Sequence, residues 1–371
     1  MIYKIPALMK HCILIVLALM FCWPAYGQDN DTWTLFWNQD ETLFGYKDKN
    51  GVVQIEPKFT PFSTAQKFEN IIAVTEEING EWKSYYLTKA GKIVGRDSMH
   101  VFDNGYDCES ERFIRFRDHE TDQAGMFDKK GEVAVPAEYS ELTRVMNGMI
   151  VALKGAKRKH LENDEHHSWQ GGKELLIDTS NHVLIDDFPY RDDLNFFSIK
   201  KTKTPGTEEV REYFLAKDGS YYSFINFGKE FRHWLTHDLL VDLTAEKLID
   251  ASFDTITWWS DEGWTKTDRR HFIAKNFDIL KKGLLEILDP NCDYFVSIDG
   301  LNPFMYEGKK FAKYFNNCGQ AKEWMYPLME IVISHNNRDS QDHYEFLRTD
   351  HGYKLIAVTI ENQLKRTKQH R

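Results

Sequence analysis

Two short stretches and three cysteines carry the residue types that do chemistry. The first stretch is Thr257 to Trp264, TWWSDEGW, which sets Trp258, Trp259 and Trp264 beside Asp261 and Glu262. Indole rings with carboxylates nearby suit the stacking of a sugar ring or the capture of a cationic ligand. Paired carboxylates also do the acid and base work of glycosidases. Asp261 and Glu262 are adjacent, however, so on a strand or a helix they point different ways and make a poor acid/base pair. The plainer alternative is an aromatic cluster at an interface between helices.

The second stretch is the charged excursion Ala156 to Gly172, AKRKHLENDEHHSWQGG. Here His160, His166 and His167 lie among Glu162, Asp164 and Glu165, ligand types that suit zinc or nickel. No fixed ligand spacing is present, and a solvated surface loop ending in Gly-Gly accounts for the composition. No metal and no cofactor is expected. Nucleophile-elbow, zincin, phosphate-loop and dinucleotide fingerprints are all missing from the sequence. No residue is assigned a catalytic role on that ground, although catalytic groups also converge from distant positions.

Removal of an N-terminal leader would keep three cysteines: Cys108, Cys292 and Cys318. Cys292 and Cys318 share one region and are the expected disulfide pair, which leaves Cys108 buried and reduced, or reactive.

The elements that must hold the tryptophans have helical and then strand character. After about residue 229, FRHWLTHDLLVDL and AEKLIDASF repeat apolar residues at three and four positions. Asp268 to Leu288 is the clearest helix, capped by Asp268 and stopped by Asp289-Pro290. KKFAKYFNNCG is expected as a short helix with Gly319 as its C-cap. YPLMEIVISH, DHYEFLRT and YKLIAVTIEN read as strands, the last two joined at Asp350–Gly352. Helices followed by an antiparallel meander give an α+β domain over 229–371. Its element order is reminiscent of the NTF2-like cone fold.

Before residue 229 the chain repeats itself. GYKDKNGVVQIEPKF (Gly45 to Phe59) returns as GMFDKKGEVAVPAEY (Gly125 to Tyr139). Weaker copies are centred on Gly91, Asn181 and Gly219, so that with Gly51 and Gly131 five copies follow at a spacing near 40. In each, an apolar residue (Tyr46, Tyr86, Phe127, Ile177, Phe214) precedes a turn whose Gly or Asn supplies positive φ. An alternating strand follows, and a third strand closes the unit: NIIAVTE, RFIRFR, GMIVALK and NFFSIKK. Pro57 and Pro136 are expected to end strand pairing. One such unit cannot bury its apolar face alone, so neighbours must stack.

These residues resemble the WG (KWG) repeat family, whose unit reads G-[aliphatic/aromatic]-x-D-x-x-G-x-x-[aliphatic]-x-P-x-[aromatic]. Gly45, Asp48, Gly51, Ile55, Pro57, Phe59, Ala73 and Val74 match, as do Gly125, Asp128, Gly131, Val135, Tyr139 and Ala152. The tryptophan that names the repeat is Phe44 in the first copy and Ala124 in the third, and Pro136 sits one place early. Over roughly residues 40–228 the resemblance implies an all-β repeat domain of exported and surface bacterial proteins, and no active site.

The 371 residues open with Lys4 and Lys10, an apolar run from Cys12 to Trp23 and small residues Ala25 and Gly27. That is the grammar of a secretory signal over 1–27. The run is short of the ~20 apolar residues a membrane span needs, so an uncleaved anchor is the weaker alternative. Cleavage would leave 45 basic against 57 acidic residues, and the one basic run is the tail Leu364 to Arg371. Such a balance disfavours nucleic acid as the main partner. The expectation is an exported protein, periplasmic or secreted, with no transmembrane segment after cleavage. It comprises a WG-like β-repeat domain (28–228, with a loop insertion at 156–172) and an α+β domain (229–371). Binding or scaffolding in the envelope, toward a protein or a polysaccharide, is the expected role. The alternative is an enzyme or small-ligand pocket in the C-terminal domain, with the repeats as targeting module.

Overall fold

The structure, a computed structural model, describes residues 31–102, 105–160, 167–260, 263–335 and 340–360. The segment expected as a secretory signal and the basic tail lie outside them. The chain is mostly β, in several antiparallel sheets, and the described helices follow residue 226.

Each repeat turn is built the same way. The residue that opens the turn accepts from the Gly or Asn three positions on and donates to the carbonyl four positions on; Asp48, Thr88, Asp128, Asp178 and Ala216 do this. φ is +83° at Gly51 and Gly91, +67° at Gly131, +66° at Asn181 and +79° at Gly219. Three turns are locked further by an aspartate: Asp48, Asp128 and Asp178 each accept from two backbone N–H groups through Oδ1. In the fifth copy Ala216 has no such side chain, and Asp218 accepts from Ser220 instead.

The closing strand of a copy pairs with the following copy. Ile71–Ile78 lies antiparallel to Glu81–Thr88 over eight positions. Phe113–Arg117 likewise joins Ala124–Asp128, and Met149–Lys154 joins Lys173–Asp178. Trp33–Trp37 serves the first copy in the same way, against Phe44–Lys47. The last sheet breaks the order: Leu194–Thr202 pairs with Tyr221–Asn226, the second strand of its copy.

Turns also lean on the preceding copy. Tyr139 donates to Asn181 Oδ1 at 2.6 Å, and Lys92 Nζ donates to the Gly131 carbonyl at 3.0 Å. A Cβ on Gly131 would lie 3.0 Å from Val94, whereas Gly51 has open space around it. Pro57 and Pro136 sit inside the strands Val53–Phe59 and Val133–Tyr139 rather than ending them. A register irregularity in each pairing absorbs the missing donor. The excursion at 156–172 carries a β-hairpin, Lys157–His160 with His167–Gln170, in place of a bare loop.

The second half is a six-stranded sheet in the order Gly263–Asp268, Ser252–Ser260, Gly352–Ile360, Ser340–Thr349, Leu328–His335, Tyr294–Asp299. One pair, Ser252–Ser260 with Gly352–Ile360, is parallel. The helices Phe227–Trp234, Ala245–Asp250 and Arg269–Glu286 bury one face, with Phe272, Leu280 and Leu284 against Met329, Ile331 and Tyr344. Asp268 caps the long helix by accepting from the N–H groups of Arg270 and His271. Glu230 on the first helix holds Arg348 at 2.8 Å and Tyr353 at 2.9 Å on the sheet.

KKFAKYFNNCG is not the helix expected. Only Ala312–Tyr314 forms a 3-10 turn, because Asn316 Oδ1 accepts from the N–H groups of Cys318 and Gln320 and folds the chain into a loop. Gly319 has φ +76°, but in this loop and not as a helix cap.

That loop corrects the disulfide assignment. Cys318 bonds to Cys108, 210 positions away, and Cys292 is free. Cys292 lies in the turn after the long helix, against the helix-side core. Cys318 instead sits where the Asn317 carbonyl accepts from the backbone of Gln66 and Lys67 in the first copy. Nearness in sequence does not become nearness in space here.

Two outcomes test this frame. Gly51→Asn should melt within about 0.5 kcal/mol of the parent, since Asn tolerates the turn. Gly131→Val should lose roughly 2–3 kcal/mol through φ strain plus collision with Val94; similar urea midpoints for the two would refute the shared turn. Non-reducing peptide mapping should link Cys108 to Cys318 and leave Cys292 alkylated. Closing so long a loop contributes about 5 kcal/mol in the chain-entropy view, and Cys318→Ser should show a loss approaching that order.

Candidate functional site: the uncovered face of the six-stranded sheet

The three tryptophans of TWWSDEGW divide between the two faces of the sheet. Trp258 points to the helices, packs on Phe272 at 5.7 Å and donates from Nε1 to Thr267. It is part of the core and not of a platform. Trp259 and Trp264 are opposite each other across two strands, rings 5.3 Å apart and nearly perpendicular, and about half exposed. Asp261 and Glu262 lie outside the described residues.

The face that carries Trp259 and Trp264 is the one the helices leave uncovered, and strand register lines its side chains into rows. Lys266 is opposite Thr257, Thr257 opposite Ala357, Ala357 opposite Glu345, Glu345 opposite Glu330, and Glu330 opposite Ser297. Two residues along, a second row runs from Trp264 and Trp259 past Thr359 to His343, Val332 and Phe295. Phe295 is 52% exposed.

Electrostatics differ sharply along the first row. His343 Nδ1 lies 2.7 Å from Glu330, and Ser297 donates to the same carboxylate at 3.2 Å. The hydrogen bond to His343 outweighs burial and holds Glu330 below the usual carboxylate range; the same bond raises His343. Glu345 lacks any such partner among the described residues. Burial first, then the neighbouring charge of Glu330, pushes its carboxyl up to about 7, against the opposing pull of His343.

Beside Glu345 lie two hydroxyls shut away from water. Thr257 Oγ1 and Tyr306 Oη belong to residues 1% and 2% exposed, and neither has a hydrogen-bond partner. Each is the other's polar neighbour without reaching hydrogen-bonding geometry, and burial raises Tyr306 far above an ordinary phenol. Tyr306 comes from the segment Leu301–Tyr326, which covers one end of this face with Leu301, Phe311 and Tyr314 against Leu328 and Leu347. Lys266 fastens it by donating to the Met305 carbonyl.

Other sequence candidates come to less. His160 and His167 face each other as backbone partners in the excursion hairpin, while Glu162, Asp164, Glu165 and His166 lie outside the described residues. No group of three His, Cys, Asp or Glu among the described residues is arranged to hold a metal. A surface groove of about 580 Å³ runs between the hairpin and Lys173, Asp187 and Pro189. Its lysine is already engaged with Asp186 and Asp187. No described helix is long and apolar enough to cross a membrane.

Sequence reasoning missed Glu330, His343, Glu345, Tyr306 and Thr257. The available signal was a lone acid set among the apolar residues of a strand, Glu330 in LMEIVI and Glu345 in HYEFL. What no signal gave was the register that sets them side by side.

Comparison with family models, with curated proteins and with solved structures finds no match to this chain.

Glu345 makes stability depend on pH in a definite direction. Unfolded, it loses its proton near 4.5, as an ordinary glutamate does; folded, only at about 7. Between those values the folded state holds the extra proton, so stability falls as pH rises through this window. Glu345→Gln should therefore raise the melting temperature at pH 8 and leave it nearly unchanged at pH 5. Equal shifts at both pH values would contradict the assignment.

Proposed function

We propose that this chain is an exported, non-enzymatic binding protein of the bacterial envelope with two domains. Residues 28–228 form a WG-like array of β-repeats, and residues 229–371 an α+β domain whose uncovered sheet face receives the ligand. One observation carries the reading: Trp259, Trp264 and Phe295 stand exposed in one row, directly beside a row of polar and acidic side chains. Trp259 and Trp264 form an exposed aromatic pair at one edge of the face, with Phe295 at the other, and exposed apolar patches mark contact surfaces. Their flat rings offer stacking and the acids offer hydrogen bonds, a combination suited to a polysaccharide of the envelope more than to a protein partner.

Export rests on the leader of residues 1–27, and the Cys108–Cys318 bond is in keeping with it, since disulfides persist in oxidising compartments. In this reading the repeats are the tether and the sheet is the receptor. A second reading, an enzyme, draws on Glu330 and Glu345. Their environments push two facing carboxyls apart in acidity, as an acid and its partner carboxylate require.

Sedimentation with insoluble envelope polysaccharide separates the readings. The double variant Trp259→Ala/Trp264→Ala should bind at least about tenfold more weakly while melting like the parent. Undiminished binding would sink the sheet-face reading. Soluble sugar released over time by the parent, and not by Glu345→Gln, would make the protein an enzyme.

A further inference from the structure

From the rows on this face we infer that the ligand is an amino-sugar glycan: an oligosaccharide that sets one ring against Trp259 and a free ammonium group against Glu345. The inference rests on the binding reading given above and specifies its ligand class.

Geometry gives the length. Trp259 and Glu345 are two strands and one two-residue step apart. At about 4.8 Å per strand and 3.3 Å per residue, the separation is about 12 Å. That is more than one sugar ring spans and suits two or three linked rings. The ring on Trp259 meets an indole that is half exposed and braced edge-on by Trp264.

Charge gives the class. His343, in the neighbouring row, is engaged by Glu330 at 2.7 Å, and the ammonium of Lys266 is bonded to the Met305 carbonyl and set 5.4 Å from the Tyr306 ring. Neither cation is hydrogen-bonded to Glu345; His343 offsets only part of the negative field that Glu330 and Asp299 set around it. A carboxylate in that position gains most from a ligand cation, because charge-assisted hydrogen bonds are the stronger kind. A second observation points to a ligand independently of the acids. Thr257 Oγ1, two strands from Glu345 in its row, and Tyr306 Oη, on the covering segment, are both almost wholly buried and without a hydrogen-bond partner. Unsatisfied buried hydroxyls are costly, and sugar hydroxyls or an ammonium supply the bonds they lack. Ala357, between Thr257 and Glu345 in the row, carries only a methyl. The acidic chain as a whole, with formal charge −10, attracts a cationic polymer.

Calorimetry at pH 7 with four probes tests this: a β-1,4 glucosamine tetramer with free amines, the same tetramer fully N-acetylated, a glucose tetramer and a lysine tetrapeptide. The free-amine tetramer should bind at least about tenfold more tightly than the other three. Glu345→Gln should bring it level with the acetylated form, and Glu345→Asp should keep part of the preference. Trp259→Ala should weaken all sugars alike. Equal binding of the free and acetylated tetramers, or no effect of Glu345→Gln, would overturn the ammonium while the polysaccharide reading stands on its sedimentation result. Tightest binding by the lysine peptide would assign the face to basic proteins and overturn the glycan.

Discussion

The strand that closes one repeat and bonds to the next is the constraint on which residues 33–226 depend. A turn-linked strand pair has two open edges, and an isolated hairpin is marginal in water. Giving away the closing strand covers an edge of the following copy and ties its backbone groups to a neighbour, as the eight-position ladder between Ile71–Ile78 and Glu81–Thr88 does. The turn then has to be invariant, because a change of turn geometry would slide the register and turn the apolar face outward. Hence the same pair of hydrogen bonds recurs in all five turns, with Asp48, Asp128 and Asp178 fixing three of them through their side chains. The last copy has no successor to receive a strand, and its sheet order changes accordingly.

The sheet of the second half is treated differently on its two faces. Helices seal one side with a continuous apolar core. The segment Leu301–Tyr326 seals only an end of the other and then runs on to the repeats, where Arg144 lies 4.0 Å over Trp324 and Trp324 joins the cluster of Phe188, Phe196 and Phe224. The band left between is where the aromatic and acidic rows lie. A half-covered carboxyl such as Glu345 is a liability to a fold that only needs to be stable.

Much of the frame was legible in the letters. Gly51, Gly91, Gly131, Asn181 and Gly219 announce turns because few residues accept positive φ, and all five have it. Asp268 announces a helix start because its side chain satisfies free N–H groups, and it does so. What stayed hidden depends on distant partners. KKFAKYFNNCG has helical periodicity, but Asn316 turns it into a loop that serves Gln66 and Lys67, some 250 positions earlier. The partner of Cys318 follows from that docking and not from spacing. Trp258 and Trp259 are adjacent letters with opposite fates, one core and one surface, because a strand alternates its faces. The acidic row needs the register of six strands at once, which no local pattern encodes.

The bond between Cys108 and Cys318 also decides how the molecule carries mechanical load. A pull applied between the two ends of the chain runs from the first repeats to Cys108, crosses the sulfur bridge and leaves through Cys318 toward the last strands of the sheet. The residues between them, 109–317, lie off that line. About 700 Å of contour, at some 3.4 Å per extended residue, stays slack however hard the ends are drawn, and with it the last three repeats and the helices. Only the first two repeats and the final sheet strands feel tension, so a chain held at one end and loaded at the other would yield there first.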